Sequence, residues 1–173
     1  MTIIPSHVMA GNGRIAPSDR INVAVIGTGK QSYGLSGSIA NCPEVMYVAA
    51  CDVDQKKLAR FREHAEKLNS DKLDGGSHAV DSYEHYRELL EREDVDAVII
   101  ATPDHWHGMM AVDGAKAGKD IYCEKPISLT IHEARTMARV ARQYGCVFQT
   151  GLQQRSTPEF QRACQLVQDG RLG

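Results

Sequence analysis

From Ile21 onward, short apolar runs alternate with stretches of helical periodicity. Ile21–Gly27 reads INVAVIG, a continuous apolar run of the length and β-branched content of a parallel strand buried on both faces. A glycine-rich turn comes next, then a short helix to about Asn41. Val45–Asp52 is a second strand. Over Asp54–Asn69, Leu58, Phe61, Ala65 and Leu68 fall on one helical face, and Asp54 stands where a cap is needed. Asn69–Asp81 is polar and contains Gly75-Gly76, which predicts a loop with a possible short strand at His78–Val80. Ser82–Arg92 reads as helix and Asp96–Ala101 as strand. A helix is expected over about His107–Ala117, stopped by Gly118, and a strand over Asp120–Cys123. Thr130–Tyr144 carries the sharpest helix signals: Thr130 and Glu133 form a capping box, and Gly145 supplies the stop. Cys146–Thr150 is a strand, and the Thr157-Pro158 pair opens a last helix to about Asp169.

Strand–helix alternation with short links implies right-handed crossovers and a Rossmann-type, doubly wound parallel sheet of the α/β class. The 173 residues suffice for one full domain, assigned to 21–173, preceded by an extended leader over 1–20. Composition is ordinary, with 42% hydrophobic and 24% charged residues. A formal net charge of −2 gives no reason to expect nucleic acid or an anionic membrane as partner. No apolar run approaches the roughly 20 residues of a membrane-spanning helix. The five cysteines, Cys42, Cys51, Cys123, Cys146 and Cys164, show no CxxC spacing and read as small hydrophobes. The histidines His7, His64, His78, His85 and His132 lack ligand spacing, so no metal site is expected.

The turn Gly27-Thr28-Gly29-Lys30-Gln31-Ser32 joins the first strand to the first helix. The first glycine permits the tight turn, and the second lets the backbone approach a pyrophosphate held by helix N-terminal amides. Ser32 stands where a third glycine is usual, and is nearly as small. The second strand ends in Asp52, 25 residues past Gly27, well placed to accept hydrogen bonds from an adenosine ribose. A carboxylate there repels the 2′-phosphate of NADP, and Val53 offers no arginine to hold one. NAD is therefore the expected cofactor and NADP the less favoured.

Two further segments lie at strand carboxyl ends. One is Thr102-Pro103-Asp104-His105-Trp106-His107. The other is Gly118-Lys-Asp-Ile-Tyr-Cys-Glu124-Lys125-Pro126. With the GxG opening and in this order, the TPxxxH and GKxxxCEKP segments resemble the glucose–fructose oxidoreductase, inositol dehydrogenase and rhizopine-catabolism (Gfo/Idh/MocA) family. The resemblance covers Ile21 to Gly173. It implies a Rossmann domain followed in the family by a larger α+β substrate domain, which is expected to be missing here. It also implies a sugar or polyol substrate and a homo-oligomer built through that second domain. On the family pattern, Lys125 orients substrate and assists proton transfer from the reacting hydroxyl. Glu124 lies near the nicotinamide ribose, and Pro126 shapes the loop, often through a cis bond. The 102–107 loop runs along the dinucleotide, where Trp106 could stack on a cofactor ring. His107 either contacts the ligand or caps the adjoining helix. Gln153, Gln154 and Arg155, after the last strand, lie near nicotinamide and substrate. A desolvated lysine ammonium suits this chemistry, because it can hydrogen-bond an alkoxide forming as hydride leaves.

Three functional readings arise from the resemblance. The first is an NAD-dependent dehydrogenase of a sugar, polyol or related secondary alcohol. The second is an NAD-retaining glycosidase or epimerase working by transient oxidation. The third is a nucleotide-binding module inactive without its other half. The leader also resembles the segment downstream of a twin-arginine signal in some exported relatives, although no twin arginine is present. A cytoplasmic location is the default expectation, and a periplasmic one would apply if such a signal preceded the chain.

Overall fold

The computed structural model describes residues 15–73 and 78–171. Most of the expected leader, the Gly75-Gly76 turn and the last two residues lie outside the described residues. Among the described residues, the 3-10 turn Pro17–Asp19 precedes the first strand.

Six parallel strands form one sheet: β1 (Ile21–Ile26), β2 (Val45–Cys51), β3 (Asp81–Tyr83), β4 (Ala97–Ile100), β5 (Asp120–Glu124) and β6 (Phe148–Gly151). Their order is β3-β2-β1-β4-β5-β6, so the topology reverses between β1 and β4. The helices are α1 (Lys30–Ile39), α2 (Gln55–Lys72), α3 (Tyr86–Leu90), α4 (Asp104–Lys116), α5 (Ile131–Tyr144) and α6 (Pro158–Gln168). No helix among the described residues is long and apolar enough to cross a membrane.

The period-2 geometry of the central strands divides the core. Val23 and Val25 of β1 and Ile99 of β4 pack with Leu35, Leu58 and Phe61 of α1 and α2. Ala24 and Ile26, with Val98 and Ile100, face Leu89, Met110, Met137 and Val140 of α3, α4 and α5. Both sheet faces are dry, which accounts for the continuous rather than alternating apolar runs. Each such side chain taken fully out of water contributes roughly 1.5–3 kcal/mol.

Local signals account for most helix ends. Asp54 accepts from the amides of Lys56 and Lys57. Thr130 and Glu133 close the capping box, and Gly145 takes the left-handed conformation at φ 68°. Several boundaries differ from the sequence expectation. The third strand falls at Asp81–Tyr83 rather than His78–Val80, so the helix expected from Ser82 is confined to Tyr86–Leu90. Because β3 is short and largely exposed, main-chain pairing with β2 defines it rather than any hydrophobic pattern. α4 begins at Asp104, one turn before His107, because Pro103 already holds an N-cap conformation. The last strand begins two residues later than expected, at Phe148. Finally, α2 continues to Lys72.

Asn69, in the last turns of α2, is completely buried. Its Oδ1 accepts from the Tyr47 amide at 3.0 Å, and its Nδ2 donates to the Tyr47 carbonyl at 2.7 Å. β3 pairs with β2 only from Ala49 onward, and the β1–β2 register shifts between Val23 and Ala24. The side-chain amide thus stands in for a missing strand at Tyr47. Asn69→Ala should lower the unfolding free energy by about 2–6 kcal/mol, two buried groups left unmade at roughly 1–3 kcal/mol each. Urea unfolding measures it, and a loss below about 0.5 kcal/mol, the scale of a neutral surface change, would refute this role for Asn69.

Candidate functional site

The carboxyl ends of β1 and β4 meet at the topological reversal, where open α/β sheets bind ligands. Gly27 turns the chain there with φ 90°. A Cβ on Gly27 would lie 2.8 Å from the carbonyl carbon and oxygen of Ala101 and from the amide nitrogen of Thr102. Only glycine fits, on grounds of both conformation and space. Gly29 is the N-cap of α1, with nothing within 4 Å of the position a Cβ would take. No side chain caps α1 and no acidic residue occupies its first turn. The first-turn amides and the positive end of the helix dipole therefore point, unneutralised, at open space suited to a phosphate. Ser32 is buried and turns its hydroxyl back to the Gly29 carbonyl at 2.6 Å. It fixes the turn from below rather than facing a ligand.

A groove of about 850 Å³ opens over this turn, within the ~300–1,000 Å³ range of small-molecule sites. Of the residues expected from sequence, Gly27, Gly29, Lys30, Gln31, Asp52, Thr102, Pro103 and Trp106 line it. Thr28 is buried beneath it. The Asp52 carboxylate does more than face the groove. Oδ2 accepts from the Thr28 amide at 2.7 Å and the Thr28 hydroxyl at 2.8 Å, and Oδ1 accepts from the Asp54 amide at 2.9 Å. Asp52 thereby ties the exit of β2 to the glycine turn while keeping acceptor capacity toward the groove.

The exit of β3 adds a wall not foreseen from the sequence: Glu84, His85, Tyr86, Arg87 and Glu88. Placing β3 at its true position is the signal that would have found it. Cys51 also lines the groove, but burial and the neighbouring Asp52, Glu88 and Glu84 carboxylates push its thiol up to about 12. Burial, with Glu124, likewise pushes Cys123 up to about 12. Both remain protonated and unreactive. Among the described residues, no group of three or more His, Cys, Asp or Glu side chains is placed to hold a metal ion.

A second cleft of about 800 Å³ lies beside β6. Lys125, Gln153, Gln154 and Arg155 line it with Phe160 and Gln161 of α6. The two clefts are linked by a hydrogen bond: Gln31 donates to Glu124 at 3.2 Å, and Glu124 directly precedes Lys125. Glu124 is buried, and its other oxygen accepts from the Lys125 amide. Its place depends on Gly151, where a Cβ would come within 2.7 Å of Oε1. The Lys125–Pro126 bond is cis. Lys125 itself is exposed, so the described residues do not supply the dry surroundings expected for it.

Asp104, His105 and His107 do not line the groove. Asp104 and His105 form a surface ion-pair contact at 3.8 Å at the start of α4. His107 is 1% exposed, with one ring nitrogen 2.8 Å from the Thr102 carbonyl and the other 2.6 Å from the Pro126 carbonyl. It is enclosed away from the groove, and it does not cap α4, whose N-cap is Pro103.

The groove fits a dinucleotide: a glycine cradle and bare helix amides for the pyrophosphate, a carboxylate for a ribose, and an aromatic side chain at the rim. Residues 21–152 match the family model described as the oxidoreductase family, NAD-binding Rossmann fold. The chain is 36% identical over 122 residues to glycosyl hydrolase family 109 protein 1 of Shewanella sp. (strain ANA-3), covering 70% of this chain and 26% of that protein. Its structure matches scyllo-inositol dehydrogenase from Lactobacillus casei, solved with bound NAD(H) and scyllo-inositol. That match has a TM-score of 0.70 and 26% identity, over 89% of this chain and 42% of that one. It also matches KijD10, a 3-ketoreductase from Actinomadura kijaniata solved with NADP and TDP-benzene. Here the TM-score is 0.73 and the identity 25%, over 87% of this chain and 43% of that one. The chain thus spans less than half the length of these relatives. Since the family model covers most of its residues, the chain belongs to the NAD-binding, Rossmann-fold oxidoreductase family of glucose–fructose oxidoreductase and inositol dehydrogenase.

Proposed function

We propose that the groove holds NAD and that, in the full-length enzyme, a sugar or polyol secondary alcohol is oxidised by hydride transfer, with Lys125 at the reacting oxygen. The observation that supports this reading is the bond to Glu124, the neighbour of Lys125, from Gln31, which lines the groove, while Lys125 lines the second cleft. A bound nicotinamide supplies the hydride acceptor. Gly27, Gly29 and the first-turn amides of α1 seat the pyrophosphate. Lys125 donates a hydrogen bond to the substrate oxygen as negative charge develops there. Gln153, Gln154 and Arg155 offer donors and acceptors to neighbouring hydroxyls. Drying of Lys125 is assigned to a second domain of the kind that makes up the rest of the relatives' length. The same reading takes the enzyme as a homo-oligomer joined through that domain. It places it in the cytoplasm unless a twin-arginine signal precedes the chain.

The 36% identity to a glycosyl hydrolase family 109 protein favours one alternative, in which the hydride returns to the sugar after glycoside cleavage. Groove and lysine keep their roles, and only net NADH release distinguishes the two.

The ribose end of the groove is lined by Asp52, Asp54, Glu84 and Glu88, and the cations beside them, Lys57 and Arg87, are paired with Asp54 at 3.4 Å and with Asp113 at 3.0 Å. A 2′-phosphate would face these carboxylates, so NAD should bind more tightly than NADP. Calorimetric titration of the chain with both is the check, and equal affinity would remove Asp52 from this role.

In the full-length enzyme, Lys125→Ala should lower kcat by about 10²-fold or more, the scale of general acid–base assistance, while NAD affinity stays within about threefold. A kcat within about threefold of wild type would make Lys125 an ordinary solvated loop lysine.

A further inference from the structure

His107 is a buried imidazole whose ring spans two loops. Both ring nitrogens lie against main-chain carbonyls, which only accept, so the ring's N–H donates to one of them while the other nitrogen stays in close contact with the second. One carbonyl belongs to Thr102, in the turn that leaves β4 and walls the groove. The other belongs to Pro126, next to Lys125. On its far side, the Thr102 backbone is pressed against Gly27, with no space for a single added carbon. A continuous line of contact thus runs from the phosphate turn at Gly27 through Thr102 and His107 to Pro126. Each link is short: a backbone close approach, then ring-to-carbonyl contacts of 2.8 and 2.6 Å.

We propose that His107 is a positioning residue that sets the spacing between the β4 exit, which walls the groove, and the loop that carries Lys125 at the nicotinamide end, without touching cofactor or substrate. Among the described residues, neither carbonyl accepts from any other side chain. With the imidazole removed, the Thr102 and Pro126 loops lose the ring that ties them and are free to drift apart. The adenosine end is held independently, by Asp52 on Thr28 and Asp54. Loss of His107 should therefore weaken the grip on the nicotinamide half and leave the adenosine half unaffected. A residue that merely fills the core would affect both halves alike, or neither.

The proposal rests on the groove being the dinucleotide site. Its test is calorimetric titration of the chain with NAD and, separately, with ADP-ribose, which lacks only the nicotinamide. His107→Phe keeps an aromatic ring but donates nothing. Its NAD affinity should fall roughly tenfold or more, the scale of a buried hydrogen bond left unmade, with ADP-ribose affinity within about threefold of wild type. His107→Gln restores one donor and should show a smaller selective loss. Should the Phe variant fail to fold, as circular dichroism would show, the Gln variant decides by the same ratio of NAD to ADP-ribose affinity. An unchanged ratio in a folded variant overturns the positioning role. A wild-type chain that binds neither ligand overturns the groove assignment itself, and the proposal with it.

Discussion

Gly27 carries no side chain, and the close approach this permits sets the geometry of the whole site. It lets the exits of β1 and β4 pack backbone against backbone at the one place where the sheet reverses direction. The glycine turn is then close enough to the sheet for Asp52, on the neighbouring strand, to hold it by two bonds to Thr28. From the other side of the same contact, Thr102 carries the link through His107 to the loop of Lys125. The groove is therefore a consequence of how three strand exits are tied together. Filling any of these contacts would move all three exits.

The polar groups of the site fall into two sets by what they spend their hydrogen bonds on. Thr28, Ser32, His107 and Glu124 are buried and make bonds within the protein, so they hold geometry. Gly29, Lys30, Trp106 and Lys125 line open space and are the groups left to meet a ligand, while Gln31 lines the groove and also donates to Glu124. Asp52 belongs to both sets: it accepts three internal bonds and still borders the groove. Asp54 is held below the usual carboxylate range, chiefly by the Lys57 amide it caps, so its charge is supported locally.

Features that depend on near neighbours were legible in the sequence. The capping box at Thr130 and Glu133, the cap at Asp54, the stop at Gly145 and the GxG turn are each set within a few residues. The central strands were legible because burial on both faces writes a continuous apolar run. β3 was not, because Asp81–Tyr83 is a short, largely exposed edge strand whose main-chain pairing with β2 leaves no hydrophobic pattern in the sequence. The consequence reaches the site: with this stretch read as helix, the wall from Glu84 to Glu88 has no reason to sit at the carboxyl edge. Asn69 and His107 escape the sequence for a related cause. Both polar side chains are buried by segments distant in sequence, Tyr47 for one and Pro126 for the other, and no local pattern announces such a partner.

The site stands or falls on whether the carboxyl edge at the β1–β4 reversal holds the dinucleotide. Amide-resolved NMR of the chain during titration with NAD answers that. Binding in the groove predicts saturable shifts concentrated at Gly27–Ser32, Asp52–Asp54 and Thr102–Trp106, with the opposite edge of the sheet around Arg92 and Lys119 unaffected. Shifts centred on Arg92 and Lys119, or none at saturating NAD, would contradict it.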